Sequence, residues 1–563
     1  MNNGSPTLRS VLTGMLIGGV LSLCNIYTGL KVGWGLGMSI TAALAGFGLW
    51  KLIGLSGRTR EFGIHEANLN QTTASSAAAI SSAGFVAPIP ALTMLTGRVM
   101  SWGELVVWTF SVCLVGIVVG AGLRRQLIEV ERLAFPSGTA TAETLREMYA
   151  KGRDAMARVW MLVGGGIVAG VLKILEHAFH WQRVALPGKP GNLGFGFEPT
   201  ALMLAVGMLI GPRIGLSLML GSVIAWGVLA PIVFSNGWVS KGPEDGLWYG
   251  AGLPWLLWPG VAMMVCAALT SFAFSLGAIS RAFRSGLTDN RRSRRWYVIA
   301  LAAVLGFSAA LQVWMFGIAW WIAVLGVLLT FLLATVATRV SGETDITPVG
   351  AMGKVTQLMF AVLSPGAPAA NLMSANATGG AASQAADLMH DFKSGHILGT
   401  KPGAQVIAQV CGAFSGALCG SAGYLLLVPD PAKQLLTEEW PAPAVAAWKA
   451  VAEVFMRGLD GLPPHVGLAM GLGAITGICL TLVERLAPSR VKPWLPSAAS
   501  LGLAFVIPAY NSMSMCVGAL LALALRHRAP SWSAAFLIVL ASGIIAGESL
   551  VGVALALWSM IAA

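Results

Sequence analysis

The sequence predicts an all-α polytopic membrane protein with about 14–16 transmembrane helices, because apolar runs long enough to cross a bilayer recur along it. Of its 563 residues, 56% are hydrophobic and only 11% are charged, whereas roughly a quarter of the residues in soluble domains are charged. The alternating pattern of membrane β-barrels is absent, so we expect the spans to be helices.

The apolar runs follow one another with short connections. The expected spans are residues 8–30, 33–55, 101–123, 159–181, 200–234, 253–279, 296–340, 346–363, 403–428, 465–486, 498–525 and 533–563. The runs 200–234 and 296–340 are long enough for two helices each, and 498–525 for two short ones. The first run follows MNNGSPTLRS without a signal-peptide cleavage site, so we expect it to be a retained span.

Charge predicts the orientation. The net charge is +12, but the basic residues lie in short loops between apolar runs, where the positive-inside rule explains them without a nucleic-acid partner. Residues 281–295 contain six arginines and one aspartate, so we expect this loop in the cytoplasm. The acidic, proline-rich residues 430–443 are expected outside. These features indicate a multi-pass protein of the cell inner (cytoplasmic) membrane.

The seven cysteines all lie within apolar runs and show no CxxC spacing. This pattern favours neither disulfides nor a cysteine metal site. The dipeptides HE at 65–66 and HD at 390–391 lack the HExxH spacing of zinc proteases. We therefore predict no metal site and no cofactor.

Two segments rich in small and polar residues, 65–90 and 367–391, do not resemble lipid-facing helices. They predict broken or re-entrant helices near the centre of the protein, where irregular backbone lines a cavity. Tight helix packing through Ala, Ser and Gly is the alternative interpretation.

A weak internal repeat accompanies these segments. Residues 198–224 align with 495–521, and 68–79 are echoed by 371–386. Duplicated halves are typical of transporters, which bind substrate where the halves meet. We therefore predict two transmembrane half-repeats, residues 1–290 and 291–563.

Acidic residues within the apolar runs are candidates for ion coupling, since charge in a bilayer is costly. Gln384, Asp387 and Asp391 share one face of a helix, although Asp391 could also mark its end. Glu548 stands alone in an apolar run, where it could equally be a structural hydrogen-bond partner. Glu66 is a weaker candidate, because it lies beside a charged loop.

Polar residues at two chain breaks could contact a substrate. Asn25, Tyr27 and Lys31 surround a glycine-rich break, where Lys31 could meet a substrate carboxylate or extend to the membrane interface. Three uncharged polar residues follow Pro508, namely Asn511, Ser512 and Ser514. They could form hydrogen bonds with the amides of a peptide substrate or with the backbone groups that the break leaves unpaired.

Seven motifs in order along the chain resemble the oligopeptide transporter (OPT) family, which includes the yellow-stripe metal-chelate transporters. They are NIYTGLKVGW, EANLNQTTASSAA, FPSGTATAE, GFGFEPTALM, SGETDITPVGAMGKVTQL, SANATGGAASQAADLMHDFKSGHILG and ASGIIAGESLVGV. The chain resembles the compact bacterial branch of this family. The resemblance implies secondary active transport of short peptides or metal chelates, usually with protons, and is compatible with a homodimer. It also implies the following site candidates, of which Asn68, Gln71 and Asn376 are new: Asn25, Tyr27, Lys31, Glu66, Asn68, Gln71, Asn376, Gln384, Asp387, Asp391 and Glu548.

We expect a proton-coupled symporter that imports short oligopeptides across the cytoplasmic membrane, and not an enzyme. Glu66, Asp387, Asp391 and Glu548 are the proton-coupling candidates. No Walker A sequence is present, so energy should come from a gradient. The alternative is a metal-siderophore or metal-chelate transporter of the same fold. More distant alternatives are a passive channel and an intramembrane hydrolase. The hydrolase lacks a nucleophile motif, although Asp387 with another carboxylate could imitate an aspartyl dyad.

Overall fold

The computed structural model describes residues 6–57, 60–150, 152–179, 183–198, 200–244, 246–284, 291–345, 347–458, 462–488 and 490–562. The first eleven helices are α1 Leu8–Val32, α2 Ser39–Gly54, α3 Ile64–Ala78, α4 Pro88–Thr96, α5 Trp102–Arg124, α6 Pro136–Ala150, α7 Gly152–Phe179, α8 Lys189–Asn192, α9 Ala201–Ser222, α10 Ala230–Ser235 and α11 Tyr249–Arg284. The remaining helices are α12 Arg291–Phe316, α13 Trp320–Thr344, α14 Val349–Leu363, α15 Pro368–Leu398, α16 Pro402–Leu427, α17 Pro431–Gln434, α18 Pro443–Arg457, α19 Val466–Leu486, α20 Ala498–Ala504, α21 Ala509–Arg528 and α22 Pro530–Ala562.

Short non-α elements interrupt this series. The 3₁₀ turns are Ala79–Ala83 and Lys492–Trp494, and the π-helical segments are Arg125–Val130 and Val223–Leu229. Two short strands, β1 Val184–Ala185 and β2 Gly196–Phe197, pair antiparallel with Val184 opposite Phe197.

The helical content confirms an all-α polytopic membrane protein. Within the described ranges, 12 helical stretches are long and apolar enough to cross a membrane. Helix α15 is longer than most of these but is too polar to be counted among them, and α2 and α14 are shorter apolar helices. Residues 285–290 of the loop predicted in the cytoplasm lie outside the described residues.

The chain forms two compact units, each built from both parts of the sequence. Unit 1 contains Met1–Gly29, Trp34–Trp160 and Phe274–Pro429, whereas unit 2 contains Leu30–Gly33, Met161–Ala273 and Asp430–Ala563. Each unit thus takes segments from either side of the predicted half-repeat boundary at residue 290. The duplication itself stays a prediction.

In unit 1, α15 is a buried helix that contacts α3, α5, α6, α13, α14 and α16. The predicted break in residues 367–391 is wrong, because α15 runs without interruption. Its small residues instead permit close packing: a Cβ at Gly380 would lie 2.5 Å from a methyl group of Val112 on α5. The prediction of a broken helix is confirmed for 65–90, where α3 passes through the 3₁₀ turn to Gly84, at φ 137°, before α4 begins at Pro88.

In unit 2, α9 and α21 pack along each other, and both are next to a break. Helix α9 kinks at Gly211, whose φ is 80°, just before Pro212. Helix α20 ends at Ala504 and α21 begins after Pro508. These breaks lie at corresponding positions of the predicted repeat. Interrupted helices at matched positions are the pattern that marks binding sites in many transporters.

Candidate functional site

Asp391, on α15, lies at the centre of a hydrogen-bonded cluster in unit 1. Only 1% of it is exposed. Its Oδ1 accepts a hydrogen bond from Gln71 Nε2 at 2.7 Å, and its Oδ2 accepts one from Gln409 Nε2 at 2.6 Å. The backbone carbonyl of the same residue accepts one from Gln405 Nε2 at 2.5 Å. Both carboxylate oxygens are therefore held by amide donors from α3 and α16.

The same cluster extends along three helices. Gln409 Oε1 accepts from Gln384 Nε2 at 2.6 Å, and Gln384 also donates to Ser76 Oγ at 3.0 Å. Asn68 Nδ2 donates to Ser394 Oγ at 2.9 Å and to Gln71 Oε1 at 3.3 Å. The structure thus brings together four predicted residues, namely Asn68, Gln71, Gln384 and Asp391.

Sequence reasoning missed the contribution of α16. Gln405 and Gln409 are spaced four residues apart, so both amides lie on one face of the helix. The signal was present in the sequence, since two amides at this spacing are unusual in an otherwise apolar span. They are uncharged, however, and an amide within a span is a weaker indication of function than a charged residue such as Asp387 or Asp391.

Asp387 lies one turn before Asp391 on α15 and differs from it in its contacts. No hydrogen bond or ion pair joins its carboxylate to any residue in the described part of the chain. The residue is partly buried, and the thiol of Cys113 on α5 is within electrostatic range. An acidic group in a membrane protein without a fixed partner is a functional candidate. Asp387 can gain or lose a proton without breaking a hydrogen bond.

Asn376 lies nearer the start of α15, against the break between α3 and α4. Its Oδ1 accepts a hydrogen bond from the Trp108 indole nitrogen at 2.7 Å. Its Nδ2 is buried and has no hydrogen-bond partner among the described residues. A Cβ at Gly84 would lie 2.9 Å from Asn376 Oδ1, so only glycine leaves room for the amide at this break. Asn376 therefore retains one unused donor.

His390 and Lys354 are two further buried polar residues near α15 that the sequence reasoning did not assign. His390 Nε2 is 3.0 Å from Ser341 Oγ, and its Nδ1 is 3.8 Å from Asp345 Oδ1. Lys354, on α14, donates to Gln357 Oε1 at 2.9 Å. The His390 contacts connect α15 to the carboxyl end of α13 and the residue after it, whereas the Lys354 contact lies within α14.

The remaining candidates of unit 1 have structural contacts. Glu66 forms an ion pair with Arg9 and accepts a hydrogen bond from Thr7 Oγ1 at 2.7 Å. Asn25 donates to the carbonyl of Ala78 at 3.0 Å and also binds both backbone groups of Leu36. Tyr27 is buried. The roles predicted for Glu66, Asn25 and Tyr27 in transport stay predictions.

In unit 2, Glu548 on α22 caps the amino end of α9. Its Oε2 accepts a hydrogen bond from the Leu202 N–H at 2.6 Å, and only 3% of the residue is exposed. A carboxylate at a helix amino terminus is favoured by the helix dipole. This contact matches the structural alternative considered for Glu548, and its predicted part in coupling stays a prediction.

Glu198, which the sequence reasoning did not single out, lies three residues before α9. Burial raises the pKa of Glu198 to about 7, while the charges of Lys31 and Lys173 act in the opposite direction. Lys31 itself lies over the ring of Trp440, with its Nζ 5.3 Å from the ring centroid. Unit 2 therefore holds a carboxyl group outside the spans that titrates near neutral pH.

The three candidates after Pro508 are buried in the first turns of α21. Asn511 Oδ1, Ser512 Oγ and Ser514 Oγ have no hydrogen-bond partner among the described residues. Unpaired buried polar groups are uncommon in folded proteins and call for an explanation such as a ligand. Their predicted role in substrate binding remains compatible with this geometry.

Comparison with known proteins gives consistent matches over almost the whole chain. The family model described as OPT oligopeptide transporter protein matches residues 5–559. The chain is 24% identical to the putative oligopeptide transporter YGL114W of Saccharomyces cerevisiae, over 97% of this chain and 95% of that protein. It is 23% identical to the metal-nicotianamine transporter YSL3 of Arabidopsis thaliana, over 97% and 90% of the two chains. It is 25% identical to the iron-phytosiderophore transporter yellow stripe 1 of Zea mays, over 76% and 69%.

Proposed function

Because this chain belongs to the OPT oligopeptide transporter family, we propose that it is a secondary active transporter coupling substrate import to proton movement. The substrates are short peptides or peptide-like molecules, and the membrane is the cytoplasmic membrane. The observation that carries the proposal is the contrast between two carboxylates on α15. Asp391 is held at both oxygens by amides, whereas Asp387 has no hydrogen-bond donor among the described residues.

The contrast assigns different roles to the two residues. A proton on either oxygen of Asp391 would weaken a hydrogen bond from Gln71 or Gln409, because a protonated oxygen is a poorer acceptor. Protonation of Asp387 disrupts no such bond. We therefore assign proton exchange to Asp387, and to Asp391 the role of holding α3, α15 and α16 together.

The substrate is proposed to bind in unit 2, near the break before α21. The oxygens of Asn511, Ser512 and Ser514 can accept hydrogen bonds from the N–H groups of a peptide. The names of the plant relatives support a second substrate class, metal chelates of amino-carboxylate molecules, which present similar amine and carboxylate groups. In that case the metal would be cargo, already coordinated by the chelator.

The test is uptake into proteoliposomes that contain the purified protein. Wild-type vesicles should accumulate at least one member of a panel of short peptides and metal-nicotianamine complexes above equilibrium when an inward proton gradient is imposed. The Asp387→Asn variant should lose this accumulation and still exchange labelled for unlabelled substrate, because the amide keeps the shape of the side chain and loses the titration. Glu439→Gln is the matched control, since Glu439 is an exposed loop carboxylate and its replacement should change nothing.

Two results would contradict the proposal. Accumulation by the wild type that persists after the proton gradient is collapsed would exclude proton coupling. Gradient-driven accumulation by Asp387→Asn at the wild-type level would exclude this residue as the coupling site. Homodimer formation, which the family resemblance suggested, stays a prediction that light scattering of the purified protein can check.

A further inference from the structure

Arg183 lies in unit 2, just before β1, and carries donors that the described residues do not use. Its Nη2 donates to the carbonyl of Gly191 at 3.3 Å. Its Nε and Nη1 are buried, yet neither has a hydrogen-bond acceptor among the described residues. Buried charged donors without acceptors are costly. A guanidinium with donors unused by the described residues can bind an anionic ligand.

The guanidinium is held in a fixed position by its neighbours. It lies over the ring of Tyr510, the second residue of α21, at 5.1 Å from the ring centroid. The Tyr510 hydroxyl donates in turn to the backbone carbonyl of Glu438 at 3.2 Å. The aromatic ring supports the guanidinium by a cation–π contact, and a planar guanidinium with free N–H groups matches the geometry of a carboxylate.

Glu438 provides only a partial counter-charge. Its Oε1 is 3.8 Å from Arg183 Nη1, which exceeds hydrogen-bond distance, and 52% of its side chain is exposed. It belongs to the acidic loop that the sequence predicts on the outer side of the membrane. An incoming anion can therefore reach the guanidinium by displacing a solvent-accessible side chain.

Two buried polar residues, Asn511 and Ser512, directly follow Tyr510 in α21. Both are almost fully buried, and their side-chain oxygens have no partners among the described residues. The neutral acceptors of Asn511 and Ser512 thus belong to the same helix turn as Tyr510, whose ring contacts Arg183. A molecule that presents a carboxylate together with amide or amine N–H groups has the chemistry to use both kinds of group.

We propose that Arg183 binds a carboxylate of the transported substrate, an inference that rests on the proposed function and narrows its substrate class. The substrate carries at least one free carboxylate, which would be either the C-terminus of a short peptide or a carboxylate of an amino-carboxylate chelator. Tyr510 positions the guanidinium, and Glu438 is its counter-ion until the substrate arrives.

The test measures binding by purified protein in detergent, using alanine peptides of two to four residues, the same peptides with amidated C-termini, and iron-nicotianamine. Wild-type protein should bind a free-carboxylate ligand at least about tenfold more tightly than its amidated counterpart, as expected for a charge-assisted contact. Arg183→Gln should remove this preference. Lys189→Gln is the matched control, because Lys189 is an exposed cation six residues after Arg183, at the start of α8, and its loss should leave binding unchanged.

A second variant separates binding from misfolding. Glu438→Gln removes the competing carboxylate and keeps the backbone carbonyl that Tyr510 contacts, so it should bind the same ligand more tightly than wild type. A folding defect cannot produce this gain. If Arg183→Gln weakens the binding of the peptides, the carboxylate is a peptide C-terminus. If it weakens the binding of iron-nicotianamine, the carboxylate belongs to the chelator.

The outcomes distinguish this inference from the proposed function. If wild-type protein transports a panel member and Arg183→Gln binds it equally well, the carboxylate site is wrong and the transporter proposal stands. The site would also be overturned if the wild type bound free and amidated peptides equally well and Arg183→Gln did not weaken the binding of iron-nicotianamine. If no panel member binds or is transported by the wild type, both proposals fail together.

Discussion

Replacing Asp391 by asparagine should destabilise the protein, although the same change at Asp387 should not. Both oxygens of Asp391 accept amide N–H groups, from Gln71 and from Gln409. An asparagine offers one oxygen, and its own NH₂ group would face one of these donors. Reorienting either glutamine amide would not relieve the conflict, because Gln409 Oε1 already accepts from Gln384 and Gln71 Oε1 already accepts from Asn68. One buried donor is therefore left without an acceptor.

The size of the effect follows from these contacts. A hydrogen bond to a charged group contributes about 1.5–3 kcal/mol, and a buried donor left unsatisfied costs about 1–3 kcal/mol. The lower cost of burying a neutral amide offsets part of this loss. We expect the unfolding free energy of Asp391→Asn to lie about 2–3 kcal/mol below that of Asp387→Asn, whose side chain has no hydrogen bond to lose.

Thermal unfolding in detergent, followed by the fluorescence of the 20 tryptophans, compares the two variants under identical conditions. The midpoint of Asp391→Asn should fall by a few degrees, and that of Asp387→Asn should stay at or above the wild-type value. The double variant Asp391→Asn with Gln409→Glu should recover part of the loss, because the new carboxylate accepts from the introduced asparagine amide and from Gln384. Equal midpoints for the two single variants, or no recovery in the double variant, would refute the role assigned to Asp391.

Three further predictions concern unit 2. Glu548→Gln should keep most of the stability, because the glutamine oxygen can still accept the Leu202 N–H and only the favourable charge at the helix dipole is lost. Glu548→Ala should lower the thermal midpoint further. From this structural contact alone we expect Glu548→Gln to keep transport; loss of its proton-driven uptake would confirm the coupling role that the sequence predicted for this residue. Burial raises the pKa of Glu198 from 4.5 to about 7, so between these pH values the native state holds a proton that the unfolded chain releases. The free energy of unfolding should therefore fall as pH rises through that interval. Glu198→Gln should not show this contribution, and identical stability–pH profiles for the wild type and the variant would contradict the prediction. Gly547→Val should prevent folding or strongly reduce expression, because a Cβ at this position would clash with the backbone of Gly166 on α7; normal expression of a stable variant would show that α7 and α22 are packed less closely.

Hydropathy predicted most of the helices, because transmembrane length and apolar composition are properties of a single segment. The predicted break within α15 is wrong, because the helix is continuous. The small and polar residues 367–391 predicted a broken or re-entrant helix, whereas the structure places one of their glycines, Gly380, against Val112 of α5. The sequence does not distinguish a glycine that bends the backbone from a glycine that allows a neighbouring helix to pack closely. Only the position of the partner helix distinguishes them.

The site could be predicted in part. Spacing placed Asp387 and Asp391 on one face of a helix, and family resemblance added Asn68 and Gln71. The difference between the two carboxylates could not be predicted, because it depends on contacts to Gln71, 320 residues away, and to Gln409 on the next helix. Which acidic group keeps an unpaired carboxylate is a property of tertiary packing.

Arg183 was not predicted for a related reason. Basic residues are common in loops between spans, and nothing in the local sequence of Arg183 marks it. Its unusual features are the ring of Tyr510 beneath it and the lack of acceptors for two buried nitrogens. The first feature depends on α21, which begins more than three hundred residues later in the chain, and the second depends on tertiary packing.

Substrate-evoked proton movement tests the central proposal most directly. Proteoliposomes would enclose a pH-sensitive dye, and a transported substrate would be added outside without any imposed gradient. We predict that the lumen of wild-type vesicles acidifies, and that the lumen of Asp387→Asn vesicles does not, although both exchange labelled substrate. Acidification by Asp387→Asn at the wild-type rate would contradict the assignment of proton exchange to this carboxylate.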